Sequence, residues 1–393
     1  MKKITQNVNK CTACYACQNI CPKNCIEFNI NEYGELLPII NEDHCSGCGS
    51  CVKVCPANNP RELQVPLKVY AAYSKKNENH LLGASGGVAS VLSEEFLNFG
   101  GSVYGCEIKS DLSFKFSRID TPQDVSRFRG SKYVHSIVDD CFSDVKDNLI
   151  NGRKVLFIGL PCQVAGLKNF LNVDYSNLIT IDLICHGVPS LQTFIEYLKM
   201  EDIEIETISK ITFRDKLDGF TIKIFDKHEN LIGKFYLRSS LYYVGFIKSY
   251  IYRENCYYCP YAKQDRIGDL TLGDFWGLGT TIPFEGDKKN GINLVLINSL
   301  KGEKIWENVQ SNIICYERTL EEAVAGNEQL RHPAKKTKVH DKFRKLYKEK
   351  GCSYALSHCS YRDWAIISFK KVLRNERHLF YLIQKIPFIR SKF

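Results

Sequence analysis

Apolar residues gather in short runs separated by polar, glycine-containing turns, and two of these runs read as buried strands: Lys154–Leu160 (KVLFIGL) and Leu178–Ile184 (LITIDLI). Each ends in a loop, and Val164–Leu171, between them, has the spacing of a helix. Val88–Leu97 carries a second helical pattern. The alternation predicts an α/β layer, and the more regular alternation of residues 205–240 adds antiparallel strands. No run reaches the roughly 18 apolar residues of a membrane span. Near the C-terminus Trp364, Ile367, Lys371 and Arg374 put apolar and charged groups on separate helix faces. A helix packed on the body with a solvated basic face fits that pattern. So does peripheral contact with an anionic membrane through the basic face and residues such as Phe380, Ile383 and Phe388.

Composition sharpens this. A chain of 393 residues, 44% hydrophobic, exceeds one ordinary domain and can bury a sizeable core. Eighteen cysteines stand against two methionines. The opening MKKITQNVNK lacks the apolar core of a signal peptide, which predicts a cytoplasmic protein whose thiols are metal ligands or redox groups. The net charge of +9 is local: residues 331–393 hold 17 Lys+Arg against 4 Asp+Glu, and the rest is slightly acidic. Charge therefore excludes a nucleic-acid binder for the body.

Half of the cysteines lie in the first 56 residues, where Cys11–Pro22 repeats as Cys45–Pro56, 34 positions later. Cys11, Cys14, Cys17 and Cys21-Pro22 give C-x2-C-x2-C-x3-C-P, and Cys45, Cys48, Cys51 and Cys55-Pro56 give it again. In this bacterial ferredoxin pattern the fourth cysteine serves the other cluster. One [4Fe–4S] cube is thus expected on Cys11, Cys14, Cys17 and Cys55, and a second on Cys45, Cys48, Cys51 and Cys21. The small residues Ala13, Ala16, Gly47 and Gly49 let backbone amides approach the sulfurs. Tetrahedral zinc is the alternative, and it needs no exchanged ligand. Cys25 stands outside both runs and reads as a buried spare thiol. Asn59–Pro66 (NPRELQVP) reads as a linker.

Four features mark the region after residue 80. The turn Gly83-Ala84-Ser85-Gly86-Gly87 precedes a helix, where free amides suit a phosphate. Arg129-Gly130-Ser131-Lys132-Tyr133 sets two cations and a hydroxyl around a glycine. Gly159-Leu160-Pro161-Cys162-Gln163 and Cys185-His186-Gly187 follow the two strands, where open α/β sheets bind ligands. Cys256-x2-Cys259-Pro260 leads to Gly273-Asp274-Phe275-Trp276-Gly277. Singly, these are a turn, core cysteines, an ambiguous C-x2-C and an aromatic turn. No Gly-x-Gly-x-x-Gly follows a strand and no Gly-x4-Gly-Lys-Ser/Thr occurs, which speaks against NAD and nucleotide hydrolysis.

In joint order, GASGG, GSKYV, GLPCQVAGLK, ICHGVPS and CYYCPYAKQDRIGDLTLGDFWG resemble the beta-subunit family of coenzyme F420 hydrogenases and dehydrogenases over residues 68–315. The resemblance implies an FAD site. Its contacts would be Ser85, Gly86 and Gly87; Gly130, Ser131, Lys132 and Tyr133; and Gly273, Asp274, Phe275, Trp276 and Gly277. Relatives also suggest a third [4Fe–4S] cluster, for which Cys162, Cys185, Cys256 and Cys259 are the motif cysteines to hand. Failing that, Cys162 or Cys185 is a redox thiol activated by His186 or Arg266. Lys132, His186 and Tyr133 are the proton donors to consider, with Lys132 and His186 carried forward as catalytic residues.

The expected architecture is α+β. A dicluster ferredoxin domain (1–60) precedes a larger mixed α/β flavin-binding domain (67–330) and a basic, mostly helical C-terminal extension (331–393). The expected function is an iron–sulfur flavoprotein oxidoreductase passing electrons between ferredoxin-type clusters and FAD, which exchanges a hydride with a deazaflavin (coenzyme F420) or another small organic substrate. A ferredoxin or a partner redox subunit would be its protein partner. A non-catalytic electron-transfer or assembly subunit is the alternative.

Overall fold

A computed structural model describes residues 4–5 and 8–375. The cysteine runs form two short helices, Ala16–Asn19 and Ser50–Val54, on either side of a hairpin of β1 (Ile26–Ile30) and β2 (Leu36–Ile40). The 34-residue repeat is visible in the backbone itself. Ala13 and Tyr15 take φ of 50° and 67° before the first helix, and their repeat equivalents Gly47 and Gly49 take 72° and 74° before the second. Glycine reaches this left-handed region without penalty, whereas Ala13 and Tyr15 must be held there. Both are buried, and the Tyr15 ring stacks on Phe28 at 3.9 Å.

The linker read over residues 59–66 is pinned: Gln64 exchanges backbone hydrogen bonds of 2.7 and 2.8 Å with Arg266. Beyond it lies an eight-stranded mixed sheet. Its strands are β3 (Lys68–Ser74), β4 (Ser102–Ile108), β5 (Phe114–Ile119), β6 (Val155–Gly159), β7 (Leu178–Leu183), β11 (Leu270–Asp274), β12 (Asn293–Ile297) and β13 (Ile313–Arg318), in the order β13-β3-β12-β11-β7-β6-β4-β5. The central four, β4, β6, β7 and β11, run parallel, and antiparallel strands flank them. The expected strands at 154–160 and 178–184 are β6 and β7. The expected helices are Val88–Asn98 and Pro161–Leu171, the latter with proline in its first turn, where no N–H is lost to the helix. Residues 208–236 form the predicted antiparallel unit, β8 (Ile208–Thr212), β9 (Thr221–Asp226) and β10 (Leu231–Tyr236).

The boundary drawn at residue 330 is not a boundary of the core. Helices Lys338–Lys350, Cys352–His358 and Tyr361–Asn375 follow it, and His340, Phe343, Tyr347, Cys352, Leu356 and Ile367 are buried. The apolar ones among them join one hydrophobic cluster with Phe194, Tyr242 and Tyr243. The side chains of Lys371 and Arg374, on which the basic-face reading rests, lie outside the described residues, whereas Lys342, Lys345, Lys348 and Lys350 of helix Lys338–Lys350 stay exposed. The same helix grips the ferredoxin hairpin. Arg344 pairs with Glu35 and lies 3.5 Å over the Tyr33 ring, and Lys348 pairs with Glu32 at 3.0 Å. Phe380, Ile383 and Phe388 lie outside the described residues. Among the described residues no helix is long and apolar enough to cross a membrane.

Candidate functional site

Three groups of cysteines are assembled by these elements. Cys11, Cys14, Cys17 and Cys55 line one small hollow in the ferredoxin domain. Cys21, Cys48 and Cys51 lie within electrostatic range of one another, with Cys45 beside them through Cys25, whose sulfur is 3.4 Å from that of Cys21. Cys25 is buried, as its reading as a spare thiol required. The fourth cysteine of each run therefore lies with the other run's first three. Cys162, Cys185, Cys256 and Cys259 form the third group.

Backbone amides serve all three groups. Ala13 N–H donates to Cys11, Ala16 to Cys14, Lys23 and Cys25 to Cys21, Ala57 and Asn58 to Cys55, Gly187 to Cys185, and Tyr261 and Ala262 to Cys259. Gly187 can only be glycine: at φ 125° an added Cβ would lie 2.4 Å from the Tyr252 ring. Burial pushes the Cys14 and Cys185 thiols up to about 12, against the amide donors that lower them, and pushes Cys162 well above its ordinary value. Thiols so raised stay protonated unless cations bind them, so burial works against an activated thiolate at Cys162 or Cys185. Arg266, paired with Asp182 at 2.6 Å, lowers Cys185 somewhat, and burial outweighs it. Among the described residues no group of three or more His, Cys, Asp or Glu is arranged around a single metal ion. A four-iron cube holds its thiolates further apart than one zinc does.

The groups form a chain. Cys162 lies within electrostatic range of Cys14, and buried Tyr261 lies within that range of Cys162, Cys259, Cys14 and Cys55 together. Helix Pro161–Leu171 carries this contact: a Cβ at Gly166 would meet Cys14 Sγ at 2.9 Å.

Beyond the third group, at the carboxyl ends of β6, β7 and β11, a cavity of about 350 Å3 opens. It gathers Ser85, Gly87, Gly130, Ser131, Lys132, Tyr133, His186, Gly273, Asp274 and Trp276 from four separate sequence motifs. Leu160 and Gln163, the neighbours of Pro161 and Cys162, also line it. Three expected contacts do not. A Cβ at Gly86 would fall 2.4 Å from the Ala72 carbonyl, so this glycine serves close packing on β3. Phe275 points into the core with Leu294 and Leu296. Gly277 turns the chain at φ 73° against Gly326.

Within the cavity wall several polar groups are already engaged. Ser85 Oγ donates to the Ile292 carbonyl at 2.8 Å. Lys132 Nζ donates to the carbonyls of Phe128, Arg129 and Gly130 at 3.1–3.3 Å, and burial lowers its pKa. Asp274 is ion-paired with Arg214 at 2.7 Å. His186 opens onto the cavity, and desolvation lowers its imidazole below the usual range. One donor is open: Arg129 Nε is buried without a partner, while its two terminal nitrogens bond Glu78 and Asn79. An aromatic ladder forms one wall, with Tyr133 stacked on Phe220 (6.4 Å), Phe220 on Trp276 (6.1 Å) and the Arg214 guanidinium 4.6 Å over Phe220. Arg214 and Phe220 come from the β8–β9 connection, within the stretch read from the sequence only as antiparallel strands. Glycines, an aromatic wall and a free buried donor fit a flat heteroaromatic cofactor bearing phosphate.

Residues 152–323 match the family model for the C-terminal part of the coenzyme F420 hydrogenase/dehydrogenase beta subunit. Two 4Fe–4S dicluster models match residues 10–59 and 37–86. These are the domains that the motifs suggested. No curated protein matches the chain. A solved structure of the F420-reducing [NiFe] hydrogenase complex from Methanosarcina barkeri is similar at a TM-score of 0.45 and 16% identity, over 72% of this chain and 94% of that one.

Proposed function

Since this chain joins a 4Fe–4S dicluster domain to the C-terminal domain of the coenzyme F420 hydrogenase/dehydrogenase beta-subunit family, we propose that it is an iron–sulfur flavoprotein oxidoreductase with three [4Fe–4S] clusters and FAD. Electron transfer through iron–sulfur clusters is what the domain matches establish; the flavin, the third cluster and the organic substrate are our reading. The ligand sets would be Cys11, Cys14, Cys17 and Cys55; Cys21, Cys45, Cys48 and Cys51; and Cys162, Cys185, Cys256 and Cys259. Bound in the cavity, FAD would supply the conversion between a two-electron hydride and single electrons that clusters cannot perform.

The observation that carries this reading is position. Cys162 lies beside Cys14 on one side, and its neighbours Leu160 and Gln163 line the cavity on the other. Residues of the cavity would do the holding. Tyr133, Phe220 and Trp276 offer faces for a ring system, Arg129 Nε offers a buried donor to phosphate, and Asp274 fixes Arg214. Lys132, tied to three carbonyls, is a positioning residue for the Gly130–Tyr133 loop. His186, open to the cavity, is the better candidate to hold or move a proton. The substrate would be a deazaflavin or another hydride-exchanging organic molecule, with a ferredoxin or a partner redox subunit at the other end.

Mixing the anaerobic protein with reduced deazaflavin, NADH and reduced ferredoxin in turn tests this. Bleaching of a flavin absorbance by at least one donor is expected, and no flavin response to any of them overturns it. A second reading, an electron-transfer or assembly subunit without flavin, draws on the engaged state of Ser85, Lys132 and Asp274. It predicts iron without FAD in the purified protein.

A further inference from the structure

Arg253 follows the β8–β10 unit and helix Leu241–Ile247, in the segment that leads into the C-x2-C pair. It is buried to 2% exposure, one of the largest side chains so enclosed. Its backbone N–H donates to the Val188 carbonyl, and its own carbonyl accepts from the Cys256 N–H, both at 3.0 Å. Its side chain crosses into the ferredoxin domain, where Nη2 donates to the carbonyls of Leu36 (3.1 Å) and Cys11 (3.5 Å); Nε reaches Asn255 Oδ1 at 3.3 Å. Nη1 has no partner. Its positive charge bears on Cys11 and on Cys256 alike. The four carboxylates sharing its cavity wall are taken by other cations, Glu32 by Lys348, Glu35 by Arg344, and Glu254 and Asp341 by Lys336. A buried guanidinium without a counter-carboxylate is costly unless anions elsewhere offset it.

We propose that Arg253 sets the reduction potentials of the two inner clusters, its guanidinium acting as a fixed positive charge shared by the Cys11 and Cys256 ligand sets. The inference rests on the ligand sets proposed above. A cube with four thiolates is a net anion that gains one further negative charge on reduction, so a cation beside it favours the reduced form. The side-chain hydrogen bonds of Arg253 reach Leu36, Cys11 and Asn255, and among the described residues none reaches a cysteine of the outer set, Cys21, Cys45, Cys48 and Cys51. One electron leaving the outer cluster for an inner one then moves downhill, with no bond or proton changed, and the electron is stored next to the cavity.

Arg253→Met, Arg253→Gln and Arg253→Lys are compared with wild type by anaerobic redox titration followed by electron paramagnetic resonance, with Cys48→Ser identifying the outer cluster's signal. In the two neutral variants the reduced-to-oxidised ratio of both inner clusters at fixed poise should fall about tenfold, a shift of about 59 mV for one electron. The outer cluster should hold its wild-type potential, and Arg253→Lys should restore the inner pair. Unchanged inner potentials, or equal shifts in all three clusters, refute the inference. If both neutral variants lose iron, Arg253→Lys decides: retention of all clusters supports a need for charge here, and loss refutes it in favour of a purely hydrogen-bonding role. Fewer than three cluster signals in wild type count against the third ligand set. The Cys11 cluster still reports on Arg253 in that case.

Discussion

Gly166 offers a sharp test of how the ferredoxin domain meets the α/β domain. It lies inside helix Pro161–Leu171, and a methyl group added there would fall 2.8 Å from Cys14 Cβ, 2.9 Å from Cys14 Sγ and 3.3 Å from the Phe142 ring. In an exposed helix Gly→Ala would stabilise by about 1 kcal/mol. Here that gain meets an overpacking cost of about 1–3 kcal/mol. Cys14 has little freedom to yield, being buried and bonded by the Ala16 amide. Gly166→Ala should therefore be destabilising by up to about 2 kcal/mol, and Gly166→Val more so. The assay is anaerobic urea denaturation followed by far-ultraviolet circular dichroism and by visible cluster absorbance. Cluster bleaching should move to lower urea ahead of the helix signal, because the strain falls on Cys14. An Ala variant about 1 kcal/mol more stable than wild type, with unchanged cluster absorbance, would refute the contact.

Other expectations concern the supports of the site. Asp182, fully buried at the end of β7, accepts from Arg266, Ile267 N–H, Gly268 N–H and Thr271 Oγ1, so Asp182→Ala should destabilise by about 3–5 kcal/mol in urea by stranding a buried guanidinium. A double-mutant cycle on Glu35 and Arg344 should return a coupling of about 1–3 kcal/mol, and a value near zero would remove the clamp on the ferredoxin hairpin. Burial lowers Lys216 to about 8, so between that pH and its ordinary 10.5 the unfolded chain holds a proton the folded chain has released. Stability should therefore rise with pH across that window, and Lys216→Met should flatten the rise in urea midpoints measured at both ends.

What the sequence could reveal divides along a physical line. The two cysteine runs were legible because their ligands lie within a dozen residues of each other, so spacing alone encodes geometry. The repeat even carries its left-handed positions, Ala13 and Tyr15 against Gly47 and Gly49. β6 and β7 were legible as continuous apolar runs because parallel central strands are covered on both faces. The cavity was partly legible, since Gly83–Gly87, Gly130–Tyr133 and Gly273–Trp276 are local motifs that the sheet brings together. Arg214 and Phe220 were not, because a β-hairpin from another sheet delivers them and nothing in their neighbourhood signals chemistry. In helix Lys338–Lys350 lysines dominate the composition and mask the core contact, while His340, Phe343 and Tyr347 hold the buried stripe at spacings of three and four. Gly86 and Phe275 show the converse: residues inside a recognisable motif that serve packing and leave the ligand to their neighbours.

The most direct measurement is the content of iron, acid-labile sulfide and flavin in one oxygen-free preparation. The proposed three cubes and bound flavin predict about 12 irons, as many sulfides and one FAD per chain. Zinc in place of iron, or about eight irons with no flavin, would contradict the arrangement of three cysteine sets leading to a bound isoalloxazine.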